Sequence, residues 1–249
     1  MASQHILSLE TNQQGRDFVV GDIHGMFTAL DNLLKKVKFN PEIDRIISVG
    51  DLIDRGAESH RVLEYLEQPW FFAIMGNHEE MCLESATSPS TYKNWVKHNG
   101  GAWWESIDEP KQQAIREAFS ALPTIAEIPT NNGLIGVVHA DITARIGWNR
   151  FKETIAEDES LRHFAIWSRA RYDRYHAVGS TENIQGVKLV IVGHTPTSKT
   201  LDVGNVRYID TGAPYINAKD LGKLTMMQVQ PSFKLFQQKT KKKSIWGFA

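Results

Sequence analysis

Asp17-Phe18-Val19-Val20-Gly21-Asp22-Ile23-His24-Gly25 sets a short apolar run directly against a cluster of glycine, carboxylate and imidazole. An apolar run of this length, closed by glycine, reads as a buried strand. Phe27, Leu30, Leu33, Leu34 and Val37 follow at helical spacing. The same unit then recurs. Arg45 to Val49 reads as a second strand, ending at Gly50. Ser59 to Gln68 reads as a helix with Val62, Leu63 and Leu66 on one face, and Trp70 to Met75 as a third strand, ending at Gly76. Three strand–helix units in a row imply a parallel or mixed sheet covered by helices, an α/β fold.

Further along, Thr91 to Leu122 reads as helical and aromatic, interrupted by Gly100-Gly101, with Trp95, Trp103 and Trp104 as packing residues. Leu134 to Val138 is an expected strand ending at His139, and Val187 to Val192 another, ending at Gly193-His194. Val206 to Ile209, Leu224 to Val229 and Phe233 to Phe236 read as antiparallel strands. Lys239 to Ala249, with the Lys241-Lys242-Lys243 run, reads as a solvated, mobile basic tail. No repeat or linker divides the chain, so residues 1–249 read as one domain with a core from about 17 to 238.

Composition narrows the function classes. The chain has 249 residues, 41% of them hydrophobic, enough for a substantial core without staples. Its formal net charge of -1 argues against a dedicated nucleic-acid binder, which carries a basic domain. Cys82 is the only cysteine, so the fold is no disulfide scaffold; a reducing cytoplasm and a buried, apolar role for Cys82 are expected. Met1 to Arg16 lacks the apolar core of a signal peptide, and no stretch reaches the ~20 apolar residues of a membrane span.

The chemistry lies at the strand ends. Gly21-Asp22-Ile23-His24-Gly25, Gly50-Asp51-Leu52-Ile53-Asp54-Arg55-Gly56, Gly76-Asn77-His78-Glu79, His139-Ala140-Asp141 and Gly193-His194-Thr195-Pro196 each follow an expected strand. In open α/β sheets ligands gather outside the carboxyl ends of the strands, so five such clusters converge on one place. Four of the nine histidines fall within them. Carboxylate, amide oxygen and imidazole together suit a metal of intermediate hardness: manganese, iron or zinc. Asp22 and His24, two residues apart, can leave one strand end toward the same centre, and Asp51, between the first and third clusters, can bridge two ions.

The first three segments resemble the GDxHG, GDxxDRG and GNHE signature of the PPP family of phosphoprotein phosphatases, among the calcineurin-like metallophosphoesterases. The resemblance runs from about Asp17 to Gly212 and is greatest to the short bacterial and phage-type serine/threonine phosphatases, through Gly50 to Ala57, Ile166-Trp167-Ser168-Arg169 and Tyr208-Ile209-Asp210-Thr211-Gly212-Ala213. It implies a sandwich of two mixed β-sheets flanked by helices, and two divalent ions, with Mn2+ expected and Fe, Zn or Ni as other candidates. Asp22 and His24 would bind the first ion, Asp51 would bridge both, and Asn77, His139 and His194 would complete the second site. Arg55 would hold the substrate phosphate, with Arg169, or Arg171 close by, as a second clamp. His78, oriented by Asp54, would protonate the leaving oxygen after direct attack of a metal-bridged hydroxide on phosphorus.

The implied substrate is a phosphorylated protein or peptide. Three other classes are weighed against it. A dinucleoside tetraphosphate hydrolase shares the metal set, but its pattern typically lacks the aspartate that Asp54 supplies here. A nucleic-acid end-processing phosphatase calls for a basic groove, which the near-neutral charge does not support. A metal-binding scaffold without turnover would lack His78, Asp54 or Arg55, and all three are present.

Overall fold

The computed structural model describes residues 5–241. Its elements in chain order are β1 (Ile6–Ser8), β2 (Asp17–Val20), α1 (Phe27–Val37), β3 (Arg45–Ser48), α2 (Val62–Leu66), β4 (Phe71–Ala73), α3 (Asn77–Glu84), α4 (Pro89–His98), α5 (Glu109–Ser120), β5 (Ile125–Thr130), β6 (Gly133–Val138), α6 (Gly147–Ile155), α7 (Glu159–Trp167), α8 (Ala170–Val178), β7 (Leu189–Val192), β8 (Leu201–Val203), β9 (Val206–Tyr208), β10 (Lys223–Gln230) and β11 (Lys234–Lys239). Single 3-10 segments cover Ser59–Arg61 and Gly101–Ser106. Two mixed sheets result, one in the order β11-β10-β2-β3-β4 and the other β1-β5-β6-β7-β9-β8.

The apolar strands show why these sheets stack. Phe18, Val20 and Ile46 pack with Phe27, Leu30 and Leu33 of α1 on the outer face of the first sheet. Their neighbours Val19, Ile47 and Val49 turn inward, against Ile135, Val137 and Ile191 of the second sheet. On that sheet's outer face, Val138, Val190 and Val192 meet Trp148, Phe151 and Ile155 of α6. Side chains alternate across a strand, so a run with no polar residue must be covered on both faces. The layers are therefore helices, sheet, sheet, helices, as the resemblance implies.

Where the structure departs from the sequence reading, local causes are visible. The helix expected over Ser59 to Gln68 is a 3-10 turn followed by the five residues of α2. β5 was not expected, since Pro129 breaks its pattern. β1 pairs only with Ile125–Glu127, so Pro129 has β6 as its one neighbour and withholds no ladder bond from a second strand. α6, α7 and α8 are likewise additional to the expected elements, although Trp148, Phe151 and Ile155 lie at helical spacing. Of the expected tail, Lys239 ends β11, Thr240 donates its hydroxyl to the Ala213 carbonyl, and residues 242–249 lie outside the described residues. No described helix is long and apolar enough to cross a membrane.

Gly136 in β6 lets α6 approach the sheet. A Cβ there would stand 2.5 Å from Cη2 of the buried Trp148. Gly136→Ala is expected to destabilise the fold by about 1–3 kcal/mol through overpacking. Urea unfolding measures this; an unchanged midpoint would show that α6 shifts freely.

Candidate active site

Backbone bonds draw the strand ends of both sheets together. Ile23 and His24 donate their N–H groups to the Asp51 carbonyl at 3.1 and 2.9 Å. Gly193 N donates to the His139 carbonyl, and His194 N to Asp22 Oδ2 at 2.9 Å. Glu79, in the first turn of α3, accepts from the N–H groups of Asp51, Leu52 and Gly76 at 2.8 to 3.0 Å. One buried carboxylate thus ties the loop after β3 to the loop after β4. A Cβ on Gly193 would meet Asp22 Oδ1 at 2.0 Å, so only glycine lets the two sheets come this close.

Asp51 stands at the centre. Its Oδ2 lies 3.4 Å from His24 Nε2 and its Oδ1 3.4 Å from His139 Nε2. It is the shared member of two groups whose ligand atoms lie within 4.8 Å of one another: His24, Asp51 and His78, and Asp51, His139 and His194. Asn77 Oδ1 joins the second group, 3.1 Å from His139 Nε2 and 2.8 Å from His194 Nδ1. Asp22 falls outside the tight groups; its Oδ2 is used by His194 N, while its Oδ1 is buried without a hydrogen-bond partner.

The donor chemistry tests whether a metal suits these groups. His24 Nδ1 faces the Ile53 carbonyl at 2.8 Å and His139 Nδ1 the Val49 carbonyl at 2.7 Å. Each Nδ1 must therefore carry the proton, which leaves Nε2 as a lone pair turned inward. Burial pushes the pKa values of His24, His139 and His194 down, that of His194 to about 3, so all three are neutral at pH 7. Lone pairs of imidazole, Asn77 and Asp51 then face one another, an arrangement a cation relieves. Asp22 tells the same story: burial, and the charges of Asp210 and Asp51, push its pKa well up. A divalent ion among these oxygens would reverse that shift. The residues present fit metal ions.

His78 behaves differently. Burial opposes its charge, but Asp51 and Asp54 outweigh burial and raise its pKa. Its Nδ1 lies 2.5 Å from Asp54 Oδ2, while its buried Nε2 has no hydrogen-bond partner. Imidazoles whose pKa values are pushed down, beside one whose pKa is raised, are the separation expected where metal binding and acid catalysis share a site.

The arginines are also told apart. Arg171 is spent on structure: its guanidinium donates to the carbonyls of Glu182 and Ile142 and lies 3.7 Å from Asp141, which also accepts from Arg171 N. Arg169 is exposed and contacts the His194 carbonyl at 3.4 Å. Exposed Arg55 donates Nη1 to His24 Nε2 at 2.6 Å and lies over the Tyr215 ring. Beside it opens a cavity of about 960 Å³ lined by Gly25, Met26, Ala57, Pro214 and Ile216 among others.

The signature of the calcineurin-like phosphoesterases matches residues 18–198, the segment that carries the candidate metal ligands, Asp54, His78 and the three arginines. The chain belongs to that family. Calcineurin-like phosphoesterases are metal-dependent, and this one is a phosphatase. It is 35% identical to serine/threonine-protein phosphatase 1 of Salmonella typhimurium, over 86% of this chain and 91% of that protein. It is 36% identical to serine/threonine-protein phosphatase 2 of Escherichia coli, over 86% and 95%. A symmetrical bis(5'-nucleosyl)-tetraphosphatase of Haemophilus ducreyi is 27% identical, over 51% of this chain and 45% of that one. A solved serine/threonine phosphatase from Saccharomyces cerevisiae superposes with a TM-score of 0.65, covering 97% of this phosphoesterase and 85% of that chain; at 17% identity this likeness shows the fold alone.

The structure thus brings Asp22, His24, Asp51, Asn77, His139 and His194 to one centre, with His78, Asp54, Arg55 and Arg169 around it. Two features of this phosphoesterase are set by tertiary contact alone. Glu79 stood within a quoted motif, but its three backbone partners are set by tertiary contact. Trp95 and Trp103 do pack, yet both also donate their indole N–H groups to Asp54, at 2.5 and 2.6 Å. No spacing links positions 95 and 103 to 54, so no sequence signal announces those bonds.

Proposed function

We propose that the chain is a serine/threonine protein phosphatase of the cytoplasm, acting as one catalytic domain on phosphorylated proteins or peptides. Asp22, His24 and Asp51 would hold one divalent ion; Asp51, Asn77, His139 and His194 would hold a second. Mixed oxygen and nitrogen donors suit Mn2+, with Fe, Zn and Ni as competitors. When bound, the ions supply Lewis acidity toward the phosphoryl group and lower the pKa of water. The chain's own residues do the rest. Arg55, and Arg169 across the site, bind and orient the phosphate oxygens through their fixed guanidinium donors. His78 gives the proton on Nε2 to the leaving serine or threonine oxygen, and Asp54 holds Nδ1 and stabilises the charged ring. The Arg55–His24 bond uses the same Nε2 lone pair that an ion would take, so that bond and an ion on His24 exclude one another.

The observation that carries the reading is an intact Asp54–His78 pair beside Arg55 in a chain matched over 86% of its length by two bacterial serine/threonine phosphatases. The cavity beside Arg55 supports a peptide-sized substrate. The test assays Mn2+-loaded protein against phosphoserine, phosphothreonine and phosphotyrosine peptides and a dinucleoside tetraphosphate. Phosphoserine and phosphothreonine peptides are expected to exceed the tetraphosphate in kcat/KM by about tenfold or more. The reverse order would make the protein a nucleotide hydrolase.

Arg55→Ala separates phosphate binding from metal binding. It is expected to keep both ions, to lower kcat/KM by about 10²–10³-fold, as loss of one charge-stabilising donor does, and to weaken inhibition by inorganic phosphate. Loss of the ions instead would make Arg55 a structural support of the site.

A further inference from the structure

Asp54 is fully buried, and His78 is its single ion-pair partner among the described residues. Three N–H groups converge on its two oxygens. His78 Nδ1 and Trp95 Nε1 meet Oδ2 at 2.5 Å each, and Trp103 Nε1 meets Oδ1 at 2.6 Å. An indole N–H is a donor only, so each tryptophan requires an accepting lone pair on the Asp54 oxygen it faces. With both Asp54 oxygens engaged as acceptors, His78 Nδ1 is the natural donor of the contact it makes with Oδ2. With both oxygens engaged from different sides, the carboxylate cannot rotate. The direction of His78 Nε2 follows from that.

The protein builds a segment for this contact. Trp95 lies on α4 and Trp103 in the 3-10 turn, with Gly100 between them at φ 90°. A Cβ on Gly100 would meet Arg55 N at 2.6 Å, and the Gly100 carbonyl accepts from that N–H at 3.4 Å. The segment is therefore folded onto the loop that carries both Asp54 and Arg55. That loop is strained: Asp54 and Arg55 have φ of 74° and 66°, in the left-handed region that favours glycine. Such conformations persist where the surroundings over-determine them. The two indoles, together with Ser59 Oγ accepting from Asp54 N at 2.9 Å, supply that constraint.

We propose that Trp95 and Trp103 are positioning residues of the phosphatase reaction, whose indole N–H groups clamp Asp54 so that His78 presents Nε2 to the leaving oxygen. The inference rests on the reading of His78 as the proton donor. Trp103→Phe is the primary variant, because Trp103 is half-buried and phenylalanine keeps a ring while deleting the N–H. Trp95→Phe is the second. Hydrolysis of phenyl phosphate, whose leaving group needs a proton, is compared with that of p-nitrophenyl phosphate, whose leaving group scarcely does. Trp103→Phe is expected to lower kcat on phenyl phosphate by about tenfold, the weight of one hydrogen bond to a charged group, with KM and metal content unchanged and p-nitrophenyl phosphate turnover little altered. Introduced into Asp54→Asn, the same substitution is expected to have almost no further effect, since residues acting through one another are not additive. Equal losses on both substrates, no loss on either, or the same loss in the Asp54→Asn background would overturn the inference. His78→Asn, run alongside, separates the two failures. If His78→Asn shows the leaving-group asymmetry and Trp103→Phe does not, the clamp is wrong and the donor stands. If His78→Asn shows none, the donor assignment fails and the clamp falls with it.

Discussion

Asp51→Asn is expected to strip the protein of its divalent ions and to lower kcat/KM by about 10⁴-fold or more, since the ions account for a shift of several units in the pKa of water. The effect is large because Asp51 turns one oxygen toward His24 and the other toward His139. Four imidazoles surround it, and its pKa is lowered despite the opposing effect of burial, so the folded protein keeps a negative charge there. An asparagine keeps one carbonyl oxygen, which can still accept from His78 N as Asp51 Oδ1 does at 3.1 Å. The other oxygen becomes an NH2 group, a donor with no lone pair for a metal. The fold therefore survives while the shared ligand is lost. Metal analysis after gel filtration, kcat/KM on p-nitrophenyl phosphate and the thermal midpoint check this together. Chelation of the wild type should abolish activity, and Mn2+ should restore it to the wild type but not to Asp51→Asn. A variant retaining two ions and wild-type turnover would remove Asp51 from the centre of the site.

His78→Asn is expected to slow phenyl phosphate or phosphoserine peptide hydrolysis by about 10²–10⁴-fold, the usual weight of general acid catalysis, and p-nitrophenyl phosphate hydrolysis far less. The imidazole is buried and held by Asp54 at 2.5 Å, and Asp51 and Asp54 raise its pKa against the effect of burial. Its Nε2 has no hydrogen-bond partner, so the proton there is available to a substrate oxygen. An alkoxide leaves poorly without that proton; a nitrophenolate leaves readily. The measurement is kcat/KM against leaving-group pKa for wild type, His78→Asn and Asp54→Asn, with metal content monitored. A steeper line for His78→Asn, and a weaker steepening for Asp54→Asn, is the expected result. Parallel lines would assign His78 to water positioning or to support of the metal ligands, a role its place beside His24 and Asp51 would also permit.

The residues of this site were legible because local order announces them. Asp22 and His24, Asp51 to Arg55, and Asn77 with His78 each follow an apolar strand at a fixed distance, and a strand end fixes where the next few side chains can go. Arg169 and Arg171 were not separable in the same way. They lie two residues apart at the start of α8, and the sequence leaves either as the clamp. In the structure Asp141 anchors the backbone of Arg171 and stands against its side chain, while Arg169 is left beside His194.

The sequence by itself determined the alternation of strand and helix, the polar clusters at the strand ends and, through them, the family and its chemistry. These are properties of neighbouring residues, fixed by backbone geometry and the two-residue and 3.6-residue periods of side chains. Only the tertiary structure decided which groups are held and how they are charged. The bonds of Trp95 and Trp103 to Asp54 span 41 and 49 residues, and those of Glu79 to Asp51 and Leu52 span 28 and 27. The lowered pKa values of His24, His139 and His194 and the raised pKa of His78 likewise come from burial and from carboxylates supplied by other segments. Hydrogen-bond partners and local dielectric are set by what the packed chain brings within a few ångströms, and no local pattern encodes that.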